Sequence, residues 1–361
     1  MIIGIDGSRA FLEKRTGIEE YSFQVTKHLH NKLDDYEVRL YLRKSQKVNF
    51  DIPSRWKIKK INWPFLWTQI GLSLEMLFHP VDVLFVPAHV VPLINPQNTI
   101  VVVHGLEFEF IPKAYSFWAR MYMRWSIKSS CRWAKKIIAV SENTKKDLIK
   151  LYKVPEEKID VIYEGCNKNF EFLISNFESI SNDKIFNSKY ILFVGRLEER
   201  KNIIGILEAY KILKEKYKIA HRLILAGSPG YKYEFIKLKI KNLKLEINEL
   251  GYVDDALKYK LLSNADVFLF PTFYEGFGLP ILEAQVAGAP VVASNNSSIL
   301  EVAGESAILI NPKKPEEIAE AVWKILSDNN LREELIRKGL ENVQRFSWEK
   351  CTKNIAKLLR S

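Results

Sequence analysis

The sequence predicts an α/β protein made of two doubly wound parallel-sheet domains, and three observations lead there. Short β-rich apolar runs alternate with helical segments along the whole chain, the pattern of parallel sheets covered by helices on both faces. At 361 residues the chain exceeds what one hydrophobic core usually supports, which points to two domains. Between residues 167 and 189 the periodicity lapses into a polar stretch rich in Asn and Ser, so the boundary belongs there. The expected division is a first domain over 1–170, a linker over 171–189, a second domain over 190–345 and a closing amphipathic helix over 346–361, with Ser347 as its cap.

In the first half the expected strands are 1–6, 37–43, 81–86, 99–104, 136–141 and 159–163. Thr16-Gly17-Ile18 follows the opening strand and leads into a helical pattern, and Gly17 would let the backbone approach a phosphate closely. Most strand-to-helix turns carry a glycine, so this signal is weak alone. His104 ends what reads as a central strand; a lone histidine there is more often structural than catalytic until other site residues converge on it.

In the second half the expected strands are 190–195, 223–227, 245–250, 267–271, 290–294 and 307–310. Ligands of open α/β sheets bind beyond the carboxyl ends of the strands, and two informative loops fall there. Gly195-Arg196 through Lys201 supplies a planar guanidinium fork and an ammonium, the groups that neutralise a pyrophosphate. A solvated loop with surface charges is the plain alternative. The second loop runs from Phe273 to Glu283 and sets Glu275 and Glu283 around a glycine turn. Pro280 fits the first helical position, which puts Glu283 near the first turn. The N–H groups of Phe277, Gly278 and Leu279, after Gly276, would then point outward at a helix start, where phosphate is held well.

Composition is that of an ordinary globular protein, with 47% hydrophobic and 27% charged residues. Three widely spaced cysteines, Cys131, Cys166 and Cys351, match neither a disulfide framework nor a zinc pattern. The N-terminus enters a strand without a basic leader, so no secretory signal is expected and the cytoplasm is the simplest home. The net charge of +11 favours polyanionic partners. It is concentrated between Lys113 and Lys136, where Arg120, Arg124, Lys128, Arg132 and Lys136 recur every four residues beside Trp118, Tyr122, Trp125 and Trp133. One reading is a helix against anionic headgroups at the inner face of the cell membrane; the other is a solvated outer face whose aromatics pack inward on a sheet. No nucleic-acid module motif accompanies the charge, so no nucleic-acid partner is expected.

The motifs together resemble the retaining GT-B glycosyltransferases grouped as family 4, especially mannosyltransferase-like members. The resemblance rests on Thr16-Gly17-Ile18, Trp67-Thr-Gln69, Val103-His104-Gly105 with Pro112, Ala139 to Lys145, Gly195-Arg196 with Lys201-Asn202, Gly251-Tyr252-Val253, Glu275 through Glu283, and Phe346-Ser-Trp348. It implies two Rossmann-like domains facing a central cleft and transfer of a hexose, mannose from GDP-mannose as the leading case, from a nucleoside-diphosphate sugar to an acceptor hydroxyl on a glycan or lipid-linked glycan. It also implies roles: Arg196 and Lys201, with Gly17, on the donor diphosphate; Glu275 on the transferred sugar; Glu283 on the ribose; Tyr252 and Val253 near the base; His104 over the sugar. No cofactor and no metal are expected, since no Asp-x-Asp triplet occurs in the chain. The sequence departs from the family pattern at Glu19-Glu20 and at Gly105. Alternatives are a UDP-sugar-dependent transferase, a sugar-nucleotide epimerase or phosphorylase of the same fold, and an inactive sugar-nucleotide-binding protein.

Overall fold

A computed structural model describes residues 1–168, 186 and 188–361. The chain forms two compact units: Met1–Leu106, Phe117–Gly165 and Phe346–Ser361 make unit 1, and Glu107–Ser116 with Cys166–Arg345 make unit 2. Most of the expected linker over 171–189 lies outside the described residues.

Unit 1 holds a parallel sheet of β1 (Ile2–Asp6), β2 (Glu37–Arg43), β3 (Trp56–Ile61), β4 (Val83–Val86), β5 (Asn98–Val103), β6 (Lys136–Ala139) and β7 (Ile159–Val161). Its order is β3-β2-β1-β4-β5-β6-β7. Unit 2 holds β8 (Tyr190–Val194), β9 (Arg222–Ala226), β10 (Ile247–Gly251), β11 (Val267–Phe270), β12 (Val291–Ser294) and β13 (Ile308–Ile310), ordered β10-β9-β8-β11-β12-β13 and again parallel. Both sheets reverse direction of growth once, between β1 and β4 and between β8 and β11, which makes each Rossmann-like. Central strands such as β8 and β11 are buried along their whole length, as expected for parallel strands covered on both faces.

The expected strands all form, trimmed by one or two residues at several ends. The exception in kind is β3, which the sequence reading did not contain. Lys57, Lys59 and Lys60 interrupt its apolar pattern and lie exposed. It is an edge strand, and lysine there blocks pairing with other chains at little cost, so the charge that protects the strand also hides it.

Helix α1 (Gly17–Leu29) packs on the helix over Trp348–Arg360, which therefore belongs to unit 1. That helix buries Trp348, Cys351, Ile355 and Leu359 and is capped by the Ser347 hydroxyl. The segment Glu107–Ser116 departs from a single boundary near 170: it groups with unit 2, where the Phe110 ring stacks on Tyr274 at 4.7 Å. The basic segment forms a helix over Phe117–Trp133, here called the basic helix. It turns Ser126, Ile127, Ser130 and Cys131 inward, while Trp118 is 80% and Trp125 49% exposed. The alternative of inward-packed aromatics therefore fails for Trp118 and Trp125. Among the described residues no helix is long and apolar enough to cross a membrane.

Candidate active site

The reversal between β8 and β11 puts the ends of two neighbouring strands side by side, and both informative loops of unit 2 leave from there. After β8 the chain passes Gly195 and Arg196 into a short 3-10 turn, Glu199–Lys201, before the helix Ile203–Glu215. After β11 it passes Pro271 to Glu275 into the helix Leu279–Val286.

The loops are joined by charge. Lys201 Nζ donates to Glu275 Oε1 at 2.7 Å, and Arg200 donates to the same oxygen at 3.2 Å. Arg200 also pairs with Glu198 at 2.9 Å. Burial alone would raise the Glu275 pKa, but the Lys201 and Arg200 charges and their hydrogen bonds hold it below the ordinary carboxylate range. Burial, helped by the neighbouring Arg200 charge, lowers Lys201 despite the pull of Glu275. Arg200 is raised: burial opposes its charge, yet Glu275, Glu107, Tyr115 and Glu198 together outweigh that. Arg196 is exposed and makes no ion pair among the described residues.

Side chains with no role assigned from the sequence hold this arrangement. Asn202, in the left-handed region at φ 57°, donates to the carbonyls of Pro271 at 3.0 Å and Pro312 at 2.6 Å while its side-chain oxygen accepts from Gly205 N–H. The Ser297 hydroxyl accepts from Glu275 N–H at 3.1 Å. Ser298 Oγ lies 2.9 Å from the Glu275 carbonyl oxygen and 2.7 Å from that of Phe277. The Ser and Asn cluster at 294–298, directly after a strand, was the available signal; Arg200 had none, since it stands in a run of mixed charge that looks solvated.

The helix after Glu275 opens one residue earlier than expected. Gly278 caps it at φ 120°, Leu279 is the first helical residue and Pro280 the second, so Glu283 lies beyond the first turn. Proline is tolerated there because that N–H has no intrahelical acceptor either. Glu283 Oε1 accepts from Lys258 Nζ at 2.7 Å, a partner the sequence did not reveal. Burial opposes the Lys258 charge, but Glu283 and Asp255 raise it well above the usual lysine range. Tyr252 and Val253 follow β10, with Tyr252 exposed.

The close approach of the β8 and β9 ends requires glycine. A Cβ on Gly227, at φ 147°, would sit 1.9 Å from the Gly195 carbonyl oxygen. Gly227→Ala is expected to destabilise the chain by about 3 kcal/mol through this clash and the strained φ. Denaturant unfolding of the variant checks it; a midpoint equal to wild type would show that the Gly195 turn can shift freely.

In unit 1, Gly17 opens α1, and a side chain there would meet open space. Glu19 accepts from Thr16 N–H at 3.2 Å as a capping-box partner, and Glu20 pairs with Arg15 at 2.7 Å. The departure at Glu19-Glu20 thus serves the helix start. His104 is buried. Its Nε2 lies 2.9 Å from the Pro87 carbonyl, which can only accept, so that nitrogen carries a proton. Nδ1 lies 3.2 Å from Glu164 Oε1, and Glu164 is raised by burial in spite of His104. The edge of the Tyr21 ring and His89 complete the surroundings. His89 is pushed down to about 3 by burial, with the His104 and Arg9 charges adding to it. Among the described residues no group of three or more His, Cys, Asp or Glu gathers to hold a metal ion, and the three cysteines are buried and form no disulfide.

Comparison with known proteins accounts for both units. Residues 15–170 match the family described as Glycosyltransferase Family 4, and residues 175–342 match Glycosyl transferases group 1. O-antigen chain mannosyltransferase B of Escherichia coli is 32% identical over 260 residues, spanning 71% of this chain and 68% of that protein. Among solved structures, WaaG, a glycosyltransferase involved in lipopolysaccharide biosynthesis, superposes with a TM-score of 0.74 over 99% of each chain at 16% identity. Anabaena Alr3699/HepE in complex with UDP and glucose gives 0.73 at 18% identity, covering 100% of this chain and 99% of that one. At these identities the structural likeness is one of fold, the GT-B fold.

Proposed function

The chain belongs to the group 1, family 4 glycosyltransferases, and from that premise we propose that it moves mannose from GDP-mannose to a hydroxyl of a glycan or lipid-linked glycan, retaining the anomeric configuration and without a metal ion. The observation that carries the donor reading is the Lys201–Glu275–Arg200 cluster beyond the carboxyl ends of β8 and β11. As the bond from the anomeric carbon to the leaving phosphate oxygen breaks, negative charge grows on the diphosphate and positive charge on the sugar. Lys201 and Arg196, with the N–H groups of Gly278 and Leu279 at a helix start and the Gly195 backbone, are suited to the diphosphate. Glu275, ionised between two cations, is suited to accept from sugar hydroxyls with the oxygen those cations leave over. Glu283, fixed by Lys258, is suited to the ribose, and Tyr252 and Val253 to the base. The bond from the acceptor oxygen to the anomeric carbon forms on the face the diphosphate leaves, and the departing phosphate takes the acceptor proton.

His104 has a different part in this reading. With both ring nitrogens engaged inside unit 1, it acts as a positioning residue that fixes the start of the loop after β5. Mannose is supported by the E. coli relative and by an O-antigen chain mannosyltransferase of Salmonella typhimurium, 25% identical over 273 residues. A UDP-sugar is the second reading, favoured by the UDP bound to the Anabaena protein. The exposed rings and cations of the basic helix support contact with an anionic membrane that carries the acceptor.

A thermal-shift panel of GDP-mannose, UDP-glucose and UDP-N-acetylglucosamine tests the donor, because a ligand that binds only the folded state raises its stability. GDP-mannose is expected to give the largest rise, unchanged by EDTA, and to yield an α-linked product by NMR. A larger rise with a UDP-sugar would replace mannose, and binding with no transfer to any acceptor would leave a binding protein.

A further inference from the structure

Unit 1 contains a cavity of about 440 Å³ lined by none of the residues assigned above to the donor or to the transfer reaction. Its walls are the C-terminal half of the basic helix and the turn that follows the helix Glu142–Tyr152. Lys128, Arg132, Lys153 and Lys158 line it, and none of its lining residues is acidic. Lys158 is held in place, donating to the carbonyls of Cys131 at 2.7 Å and Arg132 at 3.0 Å and so capping the basic helix. No carboxylate among the described residues pairs with Lys128, Arg132 or Lys153. Two nearby acids are engaged with other lysines: Glu156 pairs with Lys145 at 2.9 Å and Asp160 with Lys136 at 3.2 Å. A concave group of like charges with no counterion of its own calls for an anion.

The same helix states which kind. Phe117, Met121, Trp125, Lys128 and Arg132 follow one another at spacings of three and four, so they share the face opposite the buried Ser126 and Ser130. Along that face the first half is apolar and aromatic, with Phe117 64% and Met121 41% exposed, and the second half is cationic and ends at the cavity. Rings that sit at headgroup depth beside cations that meet phosphate are the two halves of an interfacial anchor.

We propose that this cavity binds the phosphate of an anionic lipid while the aromatic half of the basic helix enters the bilayer surface. The inference rests on the membrane contact proposed above and sharpens it from a helix face to a discrete phosphate site; it is independent of the donor and of the transfer reaction.

Co-sedimentation of the full chain with vesicles tests it, without donor or acceptor. Wild type is expected to bind mixed phosphatidylcholine–phosphatidylglycerol vesicles and to bind phosphatidylcholine alone weakly. The triple variant Lys128→Gln, Arg132→Gln, Lys153→Gln should lose roughly 100-fold in partitioning onto the mixed vesicles, at about fivefold per basic residue. Trp118→Ala with Trp125→Ala should weaken binding to both kinds of vesicle. An unchanged sugar-nucleotide thermal shift shows that each variant is folded. Equal binding of the triple variant and wild type to the mixed vesicles overturns the phosphate site while leaving membrane contact standing. Wild type that binds no vesicle overturns both, and so does stabilisation by inorganic phosphate without vesicle binding, which would mark a site for a soluble phosphate.

Discussion

Lys201→Ala should lower kcat/KM for the sugar nucleotide by about 10²–10³-fold, the usual cost of losing one preorganised donor aimed at developing charge. The ammonium is already in place before any ligand arrives: it is buried, hydrogen-bonded to Glu275 at 2.7 Å, and set at the end of a short 3-10 turn that Asn202 ties to the neighbouring loop. A group fixed in this way spends little reorganisation when the diphosphate departs. Most of the loss should therefore fall on kcat, with a smaller rise in KM. Arg196→Ala is the instructive companion, since its guanidinium is exposed and unpaired among the described residues, and its loss should appear in kinetics with the melting temperature unchanged. Steady-state rates of both variants check the roles. Turnover of Lys201→Ala within a few-fold of wild type would remove Lys201 from the reaction.

Glu275→Ala should be the most destabilising change in the site, at about 3–5 kcal/mol, because it leaves Lys201 and Arg200 facing each other in a buried place without their shared counterion. Glu275→Gln keeps the shape and removes the charge, and it should abolish most transfer while costing less stability. The sign of its pH effect follows from the depressed pKa. Ionised Glu275 contributes stability above the unfolded carboxylate value, near pH 4.3, and that contribution is lost as pH falls through the lower folded value. Wild type should thus lose melting temperature in acid more steeply than Glu275→Gln. Parallel profiles for the two proteins would mean that the carboxylate is not ionised in the folded chain.

Much of this site was legible before any fold was known, for a definite reason. The two loops follow apolar runs that can only be buried strands, and a glycine turn with a proline marks the helix start, so chain order alone brings Arg196, Lys201, Glu275 and Glu283 to strand ends. What chain order cannot give is the partner across the gap. Arg200 lies 75 residues from the Glu275 it binds, Lys258 lies 25 from Glu283, and Glu164 lies 60 from His104. His104 illustrates the limit best: its position favours a structural role over a catalytic one without deciding between them, and only the Pro87 carbonyl and Glu164 show how its nitrogens are used. The same blindness to burial concealed β3, whose lysines resemble a loop until an edge is known to lie there.

Because Glu107–Ser116 groups with the second unit and Phe346–Ser361 with the first, the polypeptide passes from one body to the other at four places rather than one. Cutting it into halves near residue 166 would strip each fragment of something the other carries: the first would lack the helix that covers Tyr21, the second the ring that stacks on Tyr274. Co-translational assembly meets the same obstacle. The first body cannot be completed until the ribosome has made the whole of 166–345, so an unfinished hydrophobic surface has to wait, and expression of either fragment alone is the wrong way to isolate a donor-binding or membrane-binding piece.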